Sequence, residues 1–197
     1  MAADPSELRR ALYATAVRQA GYFTARQARD IGYDYPAQTY HVGRGNWIRV
    51  GRGIFRLPDW PEGEDDQYVF WRLWSGDRAV VSNESALVLH DLGDVNPRLI
   101  HLTVPPGFRA QHPALVIHRA VLAPQDVEDR GTIKVTTVTR TLLDVASGDL
   151  SQEQLDAAVA DALNRGLISA RRLREQSDTF GPHAALRIER AVGATQT

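Results

Sequence analysis

Arg44, Arg49, Arg52 and Arg56 recur every three to five residues around the glycine pair Gly51 and Gly53. A guanidinium is permanently charged and presents its donors in a planar fork, so arginines crowded on a short hairpin suit phosphate oxygens. Such contacts supply affinity and salt dependence rather than sequence choice. Just upstream stand Gln38, Thr39, Tyr40 and His41, side chains that can meet base edges. Glutamine can bond adenine at two points, and threonine can meet a base edge or the thymine methyl. The chemistry implied is the holding of duplex DNA.

Reaction chemistry is not legible in the chain. His41, His90, His101, His112, His118 and His183 are scattered, with no His-x-x-x-His pair. There is no Gly-x-Ser-x-Gly elbow and no glycine-rich phosphate loop. The absence of cysteine removes disulfides, thiolate zinc sites and thiol nucleophiles. His101 and His118, each on an apolar strand, read as hydrogen-bonded structural residues. Arg140 and Asp144, four apart on a helix, read as a surface ion pair rather than a catalytic couple. No enzyme activity, metal or cofactor is expected.

The elements that must position the basic residues are well punctuated. Asp4-Pro5-Ser6-Glu7 opens a helix whose packed face is Leu8, Ala11, Leu12 and Ala16, ending at Gly21. Tyr22-Phe23 is extended. Thr24 and Gln27 form a second capping box, opening a helix that stops at Gly32. Asp34-Tyr35-Pro36 opens a third, running to about Gly43. Residues 47–50 and 54–57 flank Gly51-Arg52-Gly53 as a hairpin. Alternation along its first strand points Arg49 outward and Ile48 and Val50 inward. Helix, turn, helix and hairpin in that order predict a winged helix, whose third helix enters the major groove.

Charge is divided along the chain. The overall formal charge is −1, yet residues 1–58 carry nine Arg and four acids, and residues 59–66 carry five acids and no base. A basic head beside an acidic segment fits a DNA-binding module joined to a neutral partner domain. No apolar run approaches the roughly 20 residues of a membrane helix, and the opening residues lack a signal-peptide pattern. A cytoplasmic location is expected. After a linker to Glu64 comes an aromatic helix with Tyr68, Phe70, Trp71 and Trp74. Strands are expected at 79–81, 99–104, 115–118 and 132–135, then helices from Thr139 onward. The predicted class is α+β: a winged helix over 1–58, then a mixed α/β interaction domain over 59–197 closed by C-terminal helices.

The stretches Gly21-Tyr22-Phe23-Thr24-Ala25-Arg26-Gln27-Ala28 and Gly45-Asn46-Trp47-Ile48-Arg49-Val50-Gly51-Arg52-Gly53-Ile54-Phe55-Arg56-Leu57-Pro58 resemble the N-terminal winged helix of AbiEi-family antitoxins. Ser82-Asn83-Glu84-Ser85-Ala86-Leu87, His101-Leu102-Thr103-Val104-Pro105 and Thr136-Thr137-Val138-Thr139-Arg140-Thr141-Leu142-Leu143-Asp144 are similar to that family's second domain. The resemblance spans most of residues 20–147. It implies a type IV toxin–antitoxin (abortive infection) antitoxin. Its winged helix would repress its own operon on operator DNA, dimerising where that DNA holds inverted repeats. Its second domain would neutralise a nucleotidyltransferase-type toxin. Some relatives carry a nuclease-like C-terminal domain; residues 145–197 contain no lysine for an Asp…Glu-x-Lys core, so nuclease activity is not expected.

A toxin that handles nucleotides would have a basic cleft, which the acids Glu62, Glu64, Asp65 and Asp66 could occupy. Arg140, Arg171, Arg172 and Arg174 are further candidates for that interface, arginine being prominent at interfaces. The alternative is an interaction module whose winged helix no longer meets DNA, because residues 36–43 contain no Arg or Lys.

Overall fold

The capping signals act as their chemistry predicts. The carboxylate of Asp4 accepts from the Ser6 amide at 3.1 Å, starting α1 (Pro5–Val17). Thr24 Oγ1 accepts from the Gln27 amide at 3.1 Å while Gln27 Oε1 accepts from the Thr24 amide at 2.8 Å. That reciprocal box opens α2 (Ala25–Ile31) directly after β1 (Tyr22–Thr24). Asp34 caps α3 (Tyr35–Gly43) through the Ala37 amide at 2.9 Å. β2 (Ile48–Gly51) and β3 (Ile54–Arg56) form the hairpin, and α4 (Asp66–Trp74) follows. The three strands make one antiparallel sheet in the order β1-β3-β2. Three helices and a short sheet in this order fit a winged helix.

This computed structural model describes residues 4–195. The chain divides into two compact units. The first runs to Arg78 and takes in Gly131–Ile133. It therefore continues past residue 58, where the end of the hairpin, the linker and the charge division suggested a boundary, and includes α4. Gly51 explains part of this: a Cβ there would stand 2.9 Å from the Phe70 ring of α4, so only glycine lets that helix approach.

The core of the first unit is Leu12, Ala16, Phe23, Ala28, Tyr33, Trp47 and Phe55. Ala11, expected on the packed face of α1, is exposed. Ile48 and Val50, expected inside, are 46% and 37% exposed. β2 is an edge strand with a bulge between Arg49 and Gly51, so simple alternation does not set its inner face. Trp47, just before the strand, takes the inward role, its ring 4.9 Å from that of Phe23.

The second unit comprises Ala79–Arg130 and the chain from Lys134 onward. Its elements are β4 (Val80–Val81), α5 (Asn83–His90), β5 (Ile100–Val104), β6 (Leu115–Arg119), β7 (Val127–Asp129), β8 (Lys134–Thr136), α6 (Val138–Ser147), α7 (Gln152–Asn164), α8 (Ala170–Ser177) and α9 (Pro182–Ala194). The mixed sheet has the order β6-β5-β4-β8-β7. β4 runs antiparallel to β5 and parallel to β8. Leu87, Leu142, Leu143, Leu155, Leu173 and Ile188 anchor one apolar cluster that joins α5 to the four C-terminal helices. The whole is the α+β architecture expected, a helical and stranded N-terminal unit followed by a mixed sheet closed by helices.

Arg140 departs from its expected setting. Its guanidinium is largely buried, donating to Asp144 Oδ1 at 2.9 Å and Asp126 Oδ2 at 3.0 Å, and it lies over the Phe180 ring. The pair with Asp144 is interior, not a surface pair, because the turn before β7 brings a second acid onto the same arginine. Arg140 is therefore not available as an interface residue.

Candidate nucleic-acid interface

α3 is set on α2 by one buried amide. Gln38 is 3% exposed, and its Nε2 donates to the carbonyl oxygens of Ala25 (3.0 Å) and Tyr33 (2.9 Å). Both of its amide protons are engaged, and it faces away from solvent. Gln38, expected to read bases, is instead the bolt that holds α3 against the preceding turn. Short α3 buries only this one residue, so the polar amide occupies the position that an apolar side chain would fill on a longer helix.

The outward face of α3 carries Tyr35 (63% exposed), Thr39 and Tyr40 (56% exposed), with Arg44 at its C-cap. The Arg44 guanidinium stands 5.5 Å from the centre of the Tyr40 ring, and Arg29 of α2 donates to the Tyr35 hydroxyl at 3.4 Å. Each exposed tyrosine thus has an arginine beside it. Thr39 Oγ1 donates back to the Tyr35 carbonyl at 3.0 Å, leaving its methyl and lone pairs outward. His41 is half-buried and stacked on Trp47 at 4.8 Å, with Nδ1 accepting from the Asn46 amide group at 3.1 Å. Burial, helped by the nearby charge of Arg9, lowers its pKa and keeps the ring neutral. His41 belongs to the packing of the helix more than to its outer face.

On the wing, Arg49 and Arg52 are exposed. Arg49 lies over the Phe55 ring at 5.2 Å, which holds the side chain without neutralising it. Arg52 sits at the hairpin tip, before Gly53 at φ +68°, and has no ion pair among the described residues. Arg56 differs. Its side chain is largely buried, donating to Asp66 Oδ2 at 2.6 Å and to the Pro61 carbonyl at 3.0 Å, over the Tyr22 ring. It is paired inside the first unit and offers no charge to a phosphate. All three arginines lie on one hairpin, but the segment from Trp60 to Asp66 folds back onto Arg56 and encloses it.

The structure therefore brings Thr39, Tyr40, Arg44, Arg49 and Arg52 to exposed positions on α3 and the wing, and withdraws Gln38 and Arg56. Arg26 and Arg29 on α2 and Tyr35 on α3 are exposed beside them and were missed. The capping box at Thr24 places Arg26 and Arg29 on one side of a short helix, a spacing of three that marks a shared face.

Of the acids expected at a protein interface, Glu62 and Glu64 are exposed and Asp65 is half-buried, while Asp66 is bound to Arg56. Arg171 pairs with Glu175 at 2.7 Å on the surface of α8; Arg174 holds Glu189 through two bonds of 2.6 and 3.1 Å; Arg172 is exposed. In the second unit, the structure joins two histidines that the sequence left apart. His118 Nε2 lies 3.2 Å from His101 Nδ1, and His101 Nε2 lies 3.6 Å from Glu84 Oε2. Burial lowers both histidine pKa values.

Helix-turn-helix with a two-stranded wing defines a class of small regulatory domain. Residues 10–58 match the family model described as "Transcriptional regulator, AbiEi antitoxin", so this part of the chain is similar to AbiEi-type antitoxin regulators. Across 99% of its length the fold is similar to the crystal structure of RV2827C protein from Mycobacterium tuberculosis, of which it covers 79%, with a TM-score of 0.64 and 14% identity. At that identity the likeness concerns the fold. No curated protein matches the chain significantly. Among the described residues no helix is long and apolar enough to cross a membrane.

Proposed function

We propose that this protein is the antitoxin of a type IV toxin–antitoxin system, repressing its own operon through the winged helix and neutralising a nucleotidyltransferase-type toxin. The observation that carries the DNA part is the exposed set of Arg44 at the C-cap of α3 and Arg49 and Arg52 on the wing. Three guanidinium groups outside every ion pair of the described residues, carried on a helix-turn-helix and its wing, are the footprint of phosphate contacts. Base contacts fall to Thr39, Tyr40 and Tyr35. The toxin part rests on the family segment and on the exposed acids Glu62 and Glu64 with the half-buried Asp65 beside them, which suit a basic cleft.

Arg49→Ala with Arg52→Ala tests the DNA reading. Gel shifts with the upstream DNA across a salt series should show weaker binding, with the slope of log affinity against log salt reduced by about 2. Toxin neutralisation in a growth assay should survive. One observation favours a second reading, an interaction module without DNA contact: α3 carries no Lys or Arg between Tyr35 and Gly43. Wild-type protein that fails to shift its upstream DNA at about 50 mM salt, where phosphate contacts are strongest, would establish that reading instead.

A further inference from the structure

The first unit also holds a concavity away from the outward side chains Tyr35, Thr39 and Tyr40 of α3. It is a cavity of about 840 Å³ whose walls include Arg9 and Tyr13 from α1, His41 from α3, Trp47 and Trp60. The buried Tyr33 also lines it. Small-molecule sites fall in the range of roughly 300–1,000 Å³ and are mostly apolar with a few placed polar groups. This cavity has that composition: five aromatic or imidazole rings, one guanidinium, and Asn46 and Asp59 at its edge.

The walls are fixed in ways that packing of the core alone does not need. Trp60 rests on Gly21, where a Cβ would fall 2.3 Å from its Cγ; Gly21 also has φ +82°, so no other residue suits the position. The buried Arg56 donates to the carbonyl oxygens of Trp60 and Pro61 at 3.4 and 3.0 Å, strapping the segment that carries this indole to the sheet. The Tyr13 ring lies 6.1 Å from the Trp60 ring, tilted by 57° and 56% exposed, so the two rings flank an opening instead of stacking closed. Trp47 and His41 stack at 4.8 Å as one planar wall.

The polar groups say what would enter. Arg9 is the single guanidinium lining the cavity and has no ion pair among the described residues. Asp59 is the single carboxylate there, and is likewise outside every ion pair of the described residues. A ligand must therefore present an anion toward Arg9, donor hydrogens toward Asp59 and a flat ring to the aromatic walls. A simple aromatic acid supplies the first and third but brings little to Asp59. A nucleoside monophosphate supplies all three: phosphate, hydroxyl or amino donors, and a base. We propose that this cavity is a mononucleotide-binding site.

The test is titration calorimetry of the full chain with AMP, with adenosine, ribose 5-phosphate and salicylate as separate arms. AMP is expected to bind saturably, with adenosine and ribose 5-phosphate each weaker by about tenfold or more. Arg9→Gln should weaken AMP about tenfold and leave adenosine unchanged, while Tyr13→Ala should weaken both. Both residues are exposed, and circular dichroism checks that the variants fold. Absence of saturable AMP binding at roughly millimolar concentration, AMP affinity unchanged in both folded variants, or salicylate binding tighter than AMP would each overturn the assignment.

Occupancy has a consequence at α3, since His41 is part of both; this consequence rests on the DNA reading above. AMP should change operator affinity in wild type and not in Arg9→Gln. Unchanged operator affinity despite measured AMP binding overturns the coupling. Failure of any operator binding overturns the DNA reading instead, and the calorimetry then decides the site by itself.

Discussion

Two side chains show how a residue's type can be right and its role wrong. Glutamine at position 38 is a good base reader by chemistry, yet its amide is spent on two backbone carbonyls in the interior. Gln38→Ala should therefore cost stability, about 2 kcal/mol for the buried Tyr33 carbonyl left without its donor, measured by urea denaturation. The ratio of affinities for operator and base-substituted operator should not move; a changed ratio would return Gln38 to the recognition face. Asp144 makes the same point for charge. Burial raises its pKa from 3.8 to about 6, against the opposing pull of Arg140, and its Oδ2 has no hydrogen-bond partner among the described residues. Because the folded pKa lies above the unfolded one, the folded state holds the extra proton between these values. The stabilising contribution is full below about pH 3.8 and is lost as pH rises through about 6. Asp144→Asn removes that titration. The stability of wild type relative to Asp144→Asn should fall by about 2 kcal/mol from pH 4 to pH 7, and a flat difference across that range would contradict the buried setting. The i,i+4 spacing of Arg140 and Asp144 was visible in the sequence; their burial was not, since it depends on Asp126 and Phe180 arriving from elsewhere in the chain.

At the scale of elements, local punctuation was the legible part. Capping side chains act within three residues of themselves, so Asp4, Thr24 and Asp34 announced helix starts that the structure contains. Strand pairing was less legible. β7 has only three residues, and it is defined by pairing with β8 rather than by any pattern of its own. The inward face of β2 was misread because its bulge breaks the period of two. Long-range caps were invisible altogether. Arg187 of α9 donates to the Ala146 and Gly148 carbonyls at 3.2 and 2.8 Å, to the Leu150 carbonyl, and to Gln152 Oε1 at 3.1 Å. These are carbonyls at and just beyond the end of α6, which have no partners within that helix. One guanidinium thereby joins the end of α6, the start of α7 and α9. Arg187→Met keeps the stem and removes the donors; a loss of about 3 kcal/mol is expected from several charge-assisted bonds, read as a lower midpoint in guanidinium chloride. A loss below about 0.5 kcal/mol, the usual scatter for a surface substitution, would mean that water serves these carbonyls equally well.

Across the whole molecule, opposite charges are kept apart along one chain. The first 58 residues carry an excess of arginine and the next eight an excess of acid. Without ordering, such neighbours would neutralise one another. The structure limits that cancellation to one buried pair, Arg56 with Asp66, and a long contact of 3.9 Å between Arg56 and Glu62. Arg49 and Arg52 stay exposed on one side of the account, and Glu64 on the other. Arg56 thus acts as the internal counterion that fixes the acidic segment while the other wing arginines remain available. If the two charged sets serve two partners, they must be separable by mutation. Glu62→Gln, Glu64→Gln and Asp65→Asn together should weaken toxin neutralisation in a growth-rescue assay while operator affinity is unchanged or rises modestly, since removing acids lessens repulsion of phosphates. Arg49→Ala with Arg52→Ala should do the reverse. Acid variants that neutralise the toxin as well as wild type does would remove the acidic segment from the interface and move the search to Arg171, Arg172 and Arg174 on α8. Of these, Arg172 has no ion pair among the described residues, and so it would be the first to substitute.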